Sequence, residues 1–200
     1  MKIYDISQKI FKCEVYLGDP SPKKNMLRLM ENGDLYNLTE FSMCAHNGTH
    51  IDAPFHFINN GDTVDLIPLN SFVGMCYVAS HCGILNKQDA INIISKAKTC
   101  GEEATKRILI KGDAIVSLEA AEVFEQEKIL LLGNESQTVG PIDSPLEVHK
   151  LLLNSNIVLL EGIRLNDVSD GVYLLNAAPI NLDGADGAPC RAILIDINMK

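Results

Sequence analysis

The sequence predicts an α/β protein with a partly parallel β-sheet. From shortly before residue 81 onward, short aliphatic runs alternate with segments whose apolar residues recur at helical spacing. The aliphatic runs are MCYVAS, RILI, KILLLG and NIVLLEG, and the helical segments span residues 86–99, 117–127 and 144–154. Strands that alternate with helices along a chain typically pair in parallel. The first 80 residues have the pattern of strands and turns instead, so the join lies near His81.

The amino-terminal part predicts one short strand and one hairpin. KIYDI is an extended segment close to the start of the chain. In NMLRLMENGDLYNLTEFSM, two extended runs flank Asn32-Gly33, and an Asn-Gly pair favours the positive φ angles of a hairpin turn. We therefore expect these two runs to form a β-hairpin.

The carboxyl-terminal part predicts a capped helix and a further pair of strands. The third helical segment has Ser144 as N-cap, Pro145 at the first helical position and Glu147 three residues after the cap, which predicts a capping box. The final segment, GVYLLNAAPINLDGADGAPCRAILIDI, predicts two strands joined around Asp186-Gly187.

Length and composition indicate a single globular domain over residues 1–200. Hydrophobic residues make up 46% of the chain and charged residues 22%, which suffices for a sizeable core, or for one domain with a dimerisation arm. The net charge is -9 and no run of Lys or Arg occurs, which argues against nucleic acid and anionic membrane surfaces as partners. No apolar run approaches the roughly 20 residues that a membrane helix needs.

The amino terminus and the cysteines predict a cytoplasmic protein. The start, MKIYDISQKIF, lacks the apolar region of a secretory signal. The six cysteines are scattered without a C-x-x-C pair, a pattern typical of small buried thiols in a reducing compartment.

One short stretch, CAHNGTHIDAPFHF at residues 44–57, contains three of the five histidines and an aspartate. His46, His50, Asp52 and His56 occupy even positions, and such side chains share one face of an extended chain. A straight strand from His46 to His56 would span about 33 Å at about 3.3 Å per residue, whereas metal ligands lie about 2 Å from their ion. The chain must therefore bend if these side chains are to meet.

Gly48 and Pro54 stand where the bends are needed. Glycine permits unusual φ angles, and proline fixes φ and withholds a donor. These two residues and the β-branched Thr49 and Ile51 also disfavour a helix here. Imidazole and carboxylate together suit Zn²⁺ or Mn²⁺ better than Ca²⁺. The stretch thus predicts a divalent metal site, the alternative for each histidine taken alone being a hydrogen-bonded structural role.

HNGTHIDAPFHF resembles the H-x-G-T-H-x-D-x-P-x-H-F signature of the metal-dependent cyclase family, whose best-known members are bacterial kynurenine formamidases. Further landmarks resemble the family in the same order: YDIS, LGDP, SPLEVHKLLLNSNIVLLEG and ADGAPCRAILI. The resemblance implies a swivelling β/α/β fold, a homodimer or homotetramer, and a site for one or two divalent ions, Zn²⁺ before Mn²⁺.

The resemblance also implies roles for individual residues. His56 matches the proton donor and acceptor of the family, and Asp52 matches a ligand that can bridge two ions. The implied metal ligands are His46, His50, Asp52, His149 and Glu161. Glu161 follows the buried-looking run NIVLL, where a carboxylate is costly without a partner such as a metal. The alternatives are a surface or core histidine at 149 and a carboxylate turned toward water at 161. His81, outside every motif, is interpreted as structural.

These groups indicate hydrolysis of an amide-like bond in a small molecule. A divalent ion lowers the pKa of bound water and stabilises an oxyanion, and His56 can carry a proton to the leaving amine. The resemblance implies N-formyl-L-kynurenine or another aryl formamide as the substrate. The alternatives are a hydrolase of a cyclic amide such as isatin, a cyclase or lyase, and a metal-binding protein without turnover.

Two departures from the family pattern concern the substrate. Kynurenine formamidases usually carry a tryptophan before the GD near the amino terminus, and this chain has none. Tyr16, in VYLGDP, is the nearest aromatic replacement, and the usual GxDxxSxD stretch is altered to GNESQTVGPIDSP at residues 133–145. Tyr16 and Phe57, with Phe55, are the candidate contacts of an aromatic substrate, the alternative being a place in the core.

Overall fold

The computed structural model describes residues 1–197 of the chain. Three α-helices lie within this range: α1 (Lys87–Cys100), α2 (Leu118–Gln126) and α3 (Leu146–Asn154). The same residues contain thirteen strands: β1 (Lys2–Asp5), β2 (Lys23–Arg28), β3 (Leu38–Ser42), β4 (His50–Asp52), β5 (Val73–Ser80), β6 (Gly83–Leu85), β7 (Arg107–Lys111), β8 (Ala114–Val116), β9 (Leu131–Asn134), β10 (Val158–Glu161), β11 (Gly171–Asn176), β12 (Gly187–Pro189) and β13 (Ile193–Asp196). The predicted α/β class is confirmed.

Nine of the strands form one mixed sheet in the order β1-β13-β11-β5-β7-β9-β10-β4-β12. Strands β5, β7, β9 and β10 pair in parallel and correspond to the four aliphatic runs of the sequence. The remaining pairs of this sheet are antiparallel. The prediction of a partly parallel sheet is therefore confirmed.

The aliphatic runs are explained by burial on both faces of the parallel strands. In β7, Ile108 and Ile110 pack toward the three helices, whereas Leu109 belongs to a second apolar cluster on the opposite face. Strands covered on both sides cannot alternate apolar and polar residues. At the amino-terminal end of α1, the N-cap residue Asn86 and Asp89 form a reciprocal capping box.

The large sheet curls, so that its two ends approach each other. Strand β12 lies at one edge and β13 is next to the other edge, yet only residues 190–192 separate them. A trans chain advances at most about 3.6 Å per residue, so Pro189 and Ile193 lie within roughly 14 Å. Backbone hydrogen bonds hold residues 190–192 on both sides. The Cys190 amide donates to the Thr49 carbonyl at 3.1 Å, and the Ile6 amide donates to the Ala192 carbonyl at 3.0 Å.

The hairpin predicted around Asn32-Gly33 is confirmed, with a longer connection than a tight turn. Strands β2 and β3 pair antiparallel, and residues 29–37 join them. Gly33 has the expected positive φ, at 93°, where it ends a short 3₁₀ turn. A short parallel pair of β6 and β8 lies outside the main sheet and was not predicted.

Two predictions for the second half of the chain are wrong. The N-cap of α3 is Pro145 rather than Ser144, and no side chain caps the helix, because residues 141–144 close a turn of their own. Gly187 does not turn the chain back; it begins β12, which pairs with β4. A Cβ at Gly187 would lie 2.7 Å from Cε1 of His46, so glycine is needed there for close approach.

Both bends expected in residues 44–57 are present. Gly48 has a φ of 69°, and Pro54 begins a one-turn 3₁₀ helix that ends at His56. The three residues of β4 lie between these bends and are fully buried. The described helices include none long and apolar enough to cross a membrane. All six cysteines are free.

Replacing Gly48 by alanine should destabilise the fold more than the same change at Gly184. Both residues have φ near 70°, which costs an L-residue about 1–2 kcal/mol. Only at Gly48 would the new Cβ meet a neighbour, Cβ of Cys13 at 2.9 Å, whereas nothing lies within 4 Å at Gly184. Urea unfolding should give Gly48→Ala a further loss of about 1–3 kcal/mol. Equal losses would contradict a role for this contact.

Candidate metal centre

The candidate site lies where β4, β10 and α3 meet, beside a cavity of about 410 Å³. Strand β4 carries His50 and Asp52 on one face and buries Ile51 on the other, as strand alternation requires. Its register with β10 places Glu161 directly opposite His50. The last of the buried groups, His149, reaches the same place from α3. Residues far apart in the sequence thus converge through strand pairing and helix packing.

The first group of donor atoms comes from His46, His50 and Asp52. Nδ1 of His46 lies 2.8 Å and Nε2 of His50 lies 3.2 Å from Oδ1 of Asp52. The two imidazole rings meet edge to face, with centroids 5.1 Å apart. Three ligand atoms from these residues lie within 4.8 Å of one another, close enough to surround one ion.

The second group of donor atoms comes from Asp52, His149 and Glu161. Nε2 of His149 lies 3.3 Å from Oε1 of Glu161 and 3.9 Å from Oδ2 of Asp52. The ligand atoms of this group also lie within 4.8 Å of one another. Asp52 belongs to both groups and turns a different oxygen toward each, so its carboxylate can bridge two ions.

The far ring nitrogens of these histidines are also engaged. Nδ1 of His50 donates to the Gly48 carbonyl at 2.9 Å, and Nδ1 of His149 donates to the Pro145 carbonyl at 2.8 Å. A histidine that gives its hydrogen to an outer acceptor presents a lone pair on its other nitrogen, which is how metal-ligating histidines are held. For both residues that other nitrogen, Nε2, faces the carboxylates.

The donor set fits a borderline divalent cation. His50, Asp52, His149 and Glu161 are each at most 3% exposed. Buried carboxylates require positive partners, and a mixture of imidazole and carboxylate suits zinc and its neighbours among the transition metals. Glu161 is held further by the Val139 amide, which donates to its Oε1 atom at 2.8 Å.

The electrostatics of the cluster agree with this fit. Burial disfavours a charged His46, but hydrogen bonds to Asp186 and Asp52 outweigh burial and raise the pKa of His46 to about 10. Burial likewise disfavours ionised Asp52, yet hydrogen bonds from His46 and His50 hold its pKa well below the ordinary value. At Glu161, burial and the charge of Asp52 raise the pKa. Protons on the imidazoles thus supply positive charge that a divalent ion can replace.

His56 lies at the edge of the cluster, and Asp186 lies beside it. The His56 ring stacks on His46 with centroids 3.9 Å apart, and its Nδ1 atom lies 3.2 Å from Oδ2 of Asp186. The same oxygen is 2.9 Å from Nε2 of His46. Asp186 is absent from the ligands expected from the sequence, where Asp186-Gly187 was interpreted as a turn. The pairing of β12 with β4 brings it here.

The aromatic residues expected at the site separate into two kinds. Tyr16 and Phe57 line the cavity, whereas Phe55 is exposed and lies outside the lining residues. The Phe57 ring contacts His149, with centroids 4.7 Å apart, and the Tyr16 hydroxyl donates to the Ile142 carbonyl at 3.1 Å. His81 is not a lining residue; its Nε2 bonds to the Ile84 carbonyl at 3.2 Å.

Two polar residues of the altered stretch 133–145, Gln137 and Thr138, also line the cavity. The amide atoms of Gln137 and the hydroxyl of Thr138 are buried without a hydrogen-bond partner. The sequence shows that the stretch is altered but does not single out these two residues, because their placement depends on the loop that follows β9.

Comparisons with known proteins agree with this architecture. Residues 4–120 match the family described as "Putative cyclase". A kynurenine formamidase of Salinibacter ruber is 33% identical over 214 aligned positions, which cover 98% of each chain.

Solved structures show the same fold. A structure described as a potential metal-dependent hydrolase with cyclase activity has a TM-score of 0.80 and 28% identity, with 96% of each chain covered. Isatin hydrolase A from Labrenzia aggregata has a TM-score of 0.79 at 20% identity, with 96% of this chain and 93% of that chain covered, which is a likeness of fold. The match to the family over more than half of the chain, and to a relative over nearly all of it, shows that this chain belongs to the cyclase family.

Proposed function

We propose that this protein is a divalent-metal-dependent amide hydrolase of the arylformamidase type, acting on N-formyl-L-kynurenine or a similar aryl formamide. The observation that carries the proposal is the pair of donor groups that share Asp52, with His56 beside them at the wall of the cavity. The relative from Salinibacter ruber, a kynurenine formamidase, supports the same chemistry.

The metal ligands in this proposal are His46, His50, Asp52, His149 and Glu161. When bound there, a divalent ion lowers the pKa of a water ligand and polarises the carbonyl of the substrate. The buried carboxylates and the outer acceptors of the imidazoles hold the ligand atoms in place before any ion arrives. Such preorganisation lowers the cost of reaching the reactive geometry.

His56 moves the proton. It accepts a proton from the water that attacks the formyl carbon and delivers it to the amine nitrogen as the carbon–nitrogen bond breaks, which yields formate and a free arylamine. The position of His56 supports this role, since its ring lies against His46 at the cavity wall and 28% of its side chain is exposed.

The cavity supports an aromatic substrate. Its volume of about 410 Å³ falls within the usual range for small-molecule sites. Tyr16 and Phe57 would contact the aromatic ring of the substrate in place of the tryptophan that the chain lacks.

A cyclic amide such as isatin is the second candidate substrate. The likeness of fold to isatin hydrolase A supports it, and the same water addition and proton transfer would open a lactam ring. A lyase or cyclase reaction differs in that oxygen from solvent does not enter the product. A metal-binding protein without turnover is disfavoured, because the five proposed ligands suffice to hold the metal and binding alone would not need His56.

The remaining features of the proposal concern ions, assembly and location. Two donor groups support two ions per subunit, with Zn²⁺ preferred to Mn²⁺.

A homodimer or homotetramer is supported by the β2–β3 hairpin, whose apolar residues Leu27, Leu38 and Phe41 are exposed in one chain. A two-stranded hairpin is marginally stable alone. We place the protein in the cytoplasm, where its six thiols would stay reduced, and treat residues 1–200 as a single domain.

The substrate proposal is tested by assaying N-formyl-L-kynurenine hydrolysis with metal-stripped protein and with protein reconstituted in Zn²⁺ or Mn²⁺. We expect formate release only after reconstitution, because the carbonyl and the water both need the ion. Stoichiometric metal binding without turnover would reject this substrate and favour isatin, to be tested in the same samples.

His56→Ala should nearly abolish turnover while keeping the metal. Loss of a proton carrier typically lowers kcat by about 100-fold to 10,000-fold. Metal content is measured by atomic emission, and His81→Ala is the matched control, because its imidazole lies outside the cavity lining. Asp52→Ala should lose both metal and turnover. Loss of metal from His56→Ala would make His56 a ligand instead.

Metal binding should release a proton near neutral pH. In the metal-free protein His46 has a pKa of about 10, so it is protonated at pH 7 and must lose its proton to become a ligand. Affinity should therefore rise with pH, by up to about tenfold per unit between pH 6 and pH 8 from this residue. Calorimetry in two buffers of different ionisation enthalpy measures the proton count. Binding without proton release would contradict the prediction.

A further inference from the structure

Asp186 is held beside the candidate metal centre by its backbone. Its carbonyl accepts from the Ala53 amide at 2.9 Å, and the next residue begins β12, which pairs with β4. The absence of a side chain at Gly187 lets the His46 ring approach this strand. The Asp186 carboxylate therefore has a defined position next to residues of the signature.

One oxygen of this carboxylate accepts hydrogen bonds from two imidazoles. Oδ2 lies 2.9 Å from Nε2 of His46 and 3.2 Å from Nδ1 of His56. A carboxylate only accepts hydrogen bonds, so both facing nitrogens must carry hydrogen. A neutral imidazole carries one hydrogen, on one nitrogen or the other, and the facing nitrogen therefore determines the tautomer.

The nitrogen that keeps the lone pair differs between the two histidines. Neutral His46 keeps its lone pair on Nδ1, which faces Oδ1 of Asp52 within the first donor group. Neutral His56 keeps its lone pair on Nε2, the atom left to exchange a proton with substrate. The stacked rings, 27° from parallel, fit a single acceptor that serves both.

We propose that Asp186 is a positioning residue that selects the Nε2-protonated tautomer of His46 and the Nδ1-protonated tautomer of His56, and so aims one lone pair at the ion and the other at the substrate. This inference rests on the ligand role of His46 and the proton-transfer role of His56 proposed above. The competing interpretation is a further cation site, because ligand atoms of His46, His56 and Asp186 also lie within 4.8 Å of one another.

The first test is the isosteric change Asp186→Asn, with Asp183→Asn as control. Asp183 is an exposed carboxylate three residues earlier in the same loop. An asparagine amide carries no charge and accepts hydrogen bonds more weakly, and in one of its two orientations its NH₂ group faces the imidazoles and favours the other tautomers. We therefore expect kcat to fall about 100-fold or more at saturating metal while KM changes little. The metal content at saturation should match the wild type, with an affinity about 10-fold to 100-fold weaker. Asp183→Asn should behave as wild type.

A double-mutant cycle with His56→Ala separates positioning from other roles. If Asp186 acts through His56, adding Asp186→Asn to His56→Ala should change the residual kcat by no more than a few fold at saturating metal. A full multiplicative loss would overturn the inference. Loss of one equivalent of metal from Asp186→Asn at saturation would also overturn it, in favour of the further cation site.

A spectroscopic measurement tests the tautomers without reference to turnover. Histidine ¹⁵N spectra of the Zn²⁺-loaded protein should show His56 protonated on Nδ1, and Asp186→Asn should shift His56 toward the other tautomer. The same His56 tautomer in wild type and variant would overturn the inference even if the protein is a hydrolase. An inactive wild type with the expected tautomers would reject the proposed substrate and leave the inference standing.

Discussion

The buried carboxylate of Asp52 is the constraint on which the rest of the site depends. A charge at 1% exposure is stable only when its oxygens are satisfied, and His46, His50 and His149 surround it for that purpose. Because each oxygen faces a different group of ligand atoms, this one residue joins two donor groups into a single centre. The outer acceptors on the imidazoles then restrict which nitrogen can face it.

The curl of the sheet brings together strands that are distant in the sequence, and so allows a chain of 200 residues to build this site. Parallel strands deliver Glu161 at the end of β10, and β4 pairs beside it in the opposite direction. The curl then returns β12 to the free edge of β4, which places Asp186 against two histidines more than 100 residues earlier. Rigid, paired strands position ligand atoms more accurately than loops can, which suits a site that works by preorganisation.

The opening of the site is built from less regular parts. The 3₁₀ turn after Pro54 presents His56 and Phe57 to the cavity, and the loop after β9 presents Gln137 and Thr138. Three of the five proposed ligands, His50, Asp52 and Glu161, thus lie on strands, whereas His56 and the residues that line the opening lie on a turn and a loop. The family membership fits this division, because a shared core of ligands can serve substrates that differ in the groups around the reacting bond.

The sequence by itself determined the elements whose signals are local. The aliphatic runs identified β5, β7, β9 and β10, and the even spacing from His46 to His56, with bends at Gly48 and Pro54, identified the metal-seeking segment. Only the tertiary structure decided how distant residues combine. Asp186-Gly187 carries the local signature of a turn, yet the glycine is required for close approach to His46, and the pairing partner β4 lies 135 residues away. The observed start of α3 differs from the predicted one for a similar reason, because Ser144 belongs to the turn that precedes the helix. Local propensity describes the neighbours along the chain, whereas strand pairing and burial are decided by neighbours in space.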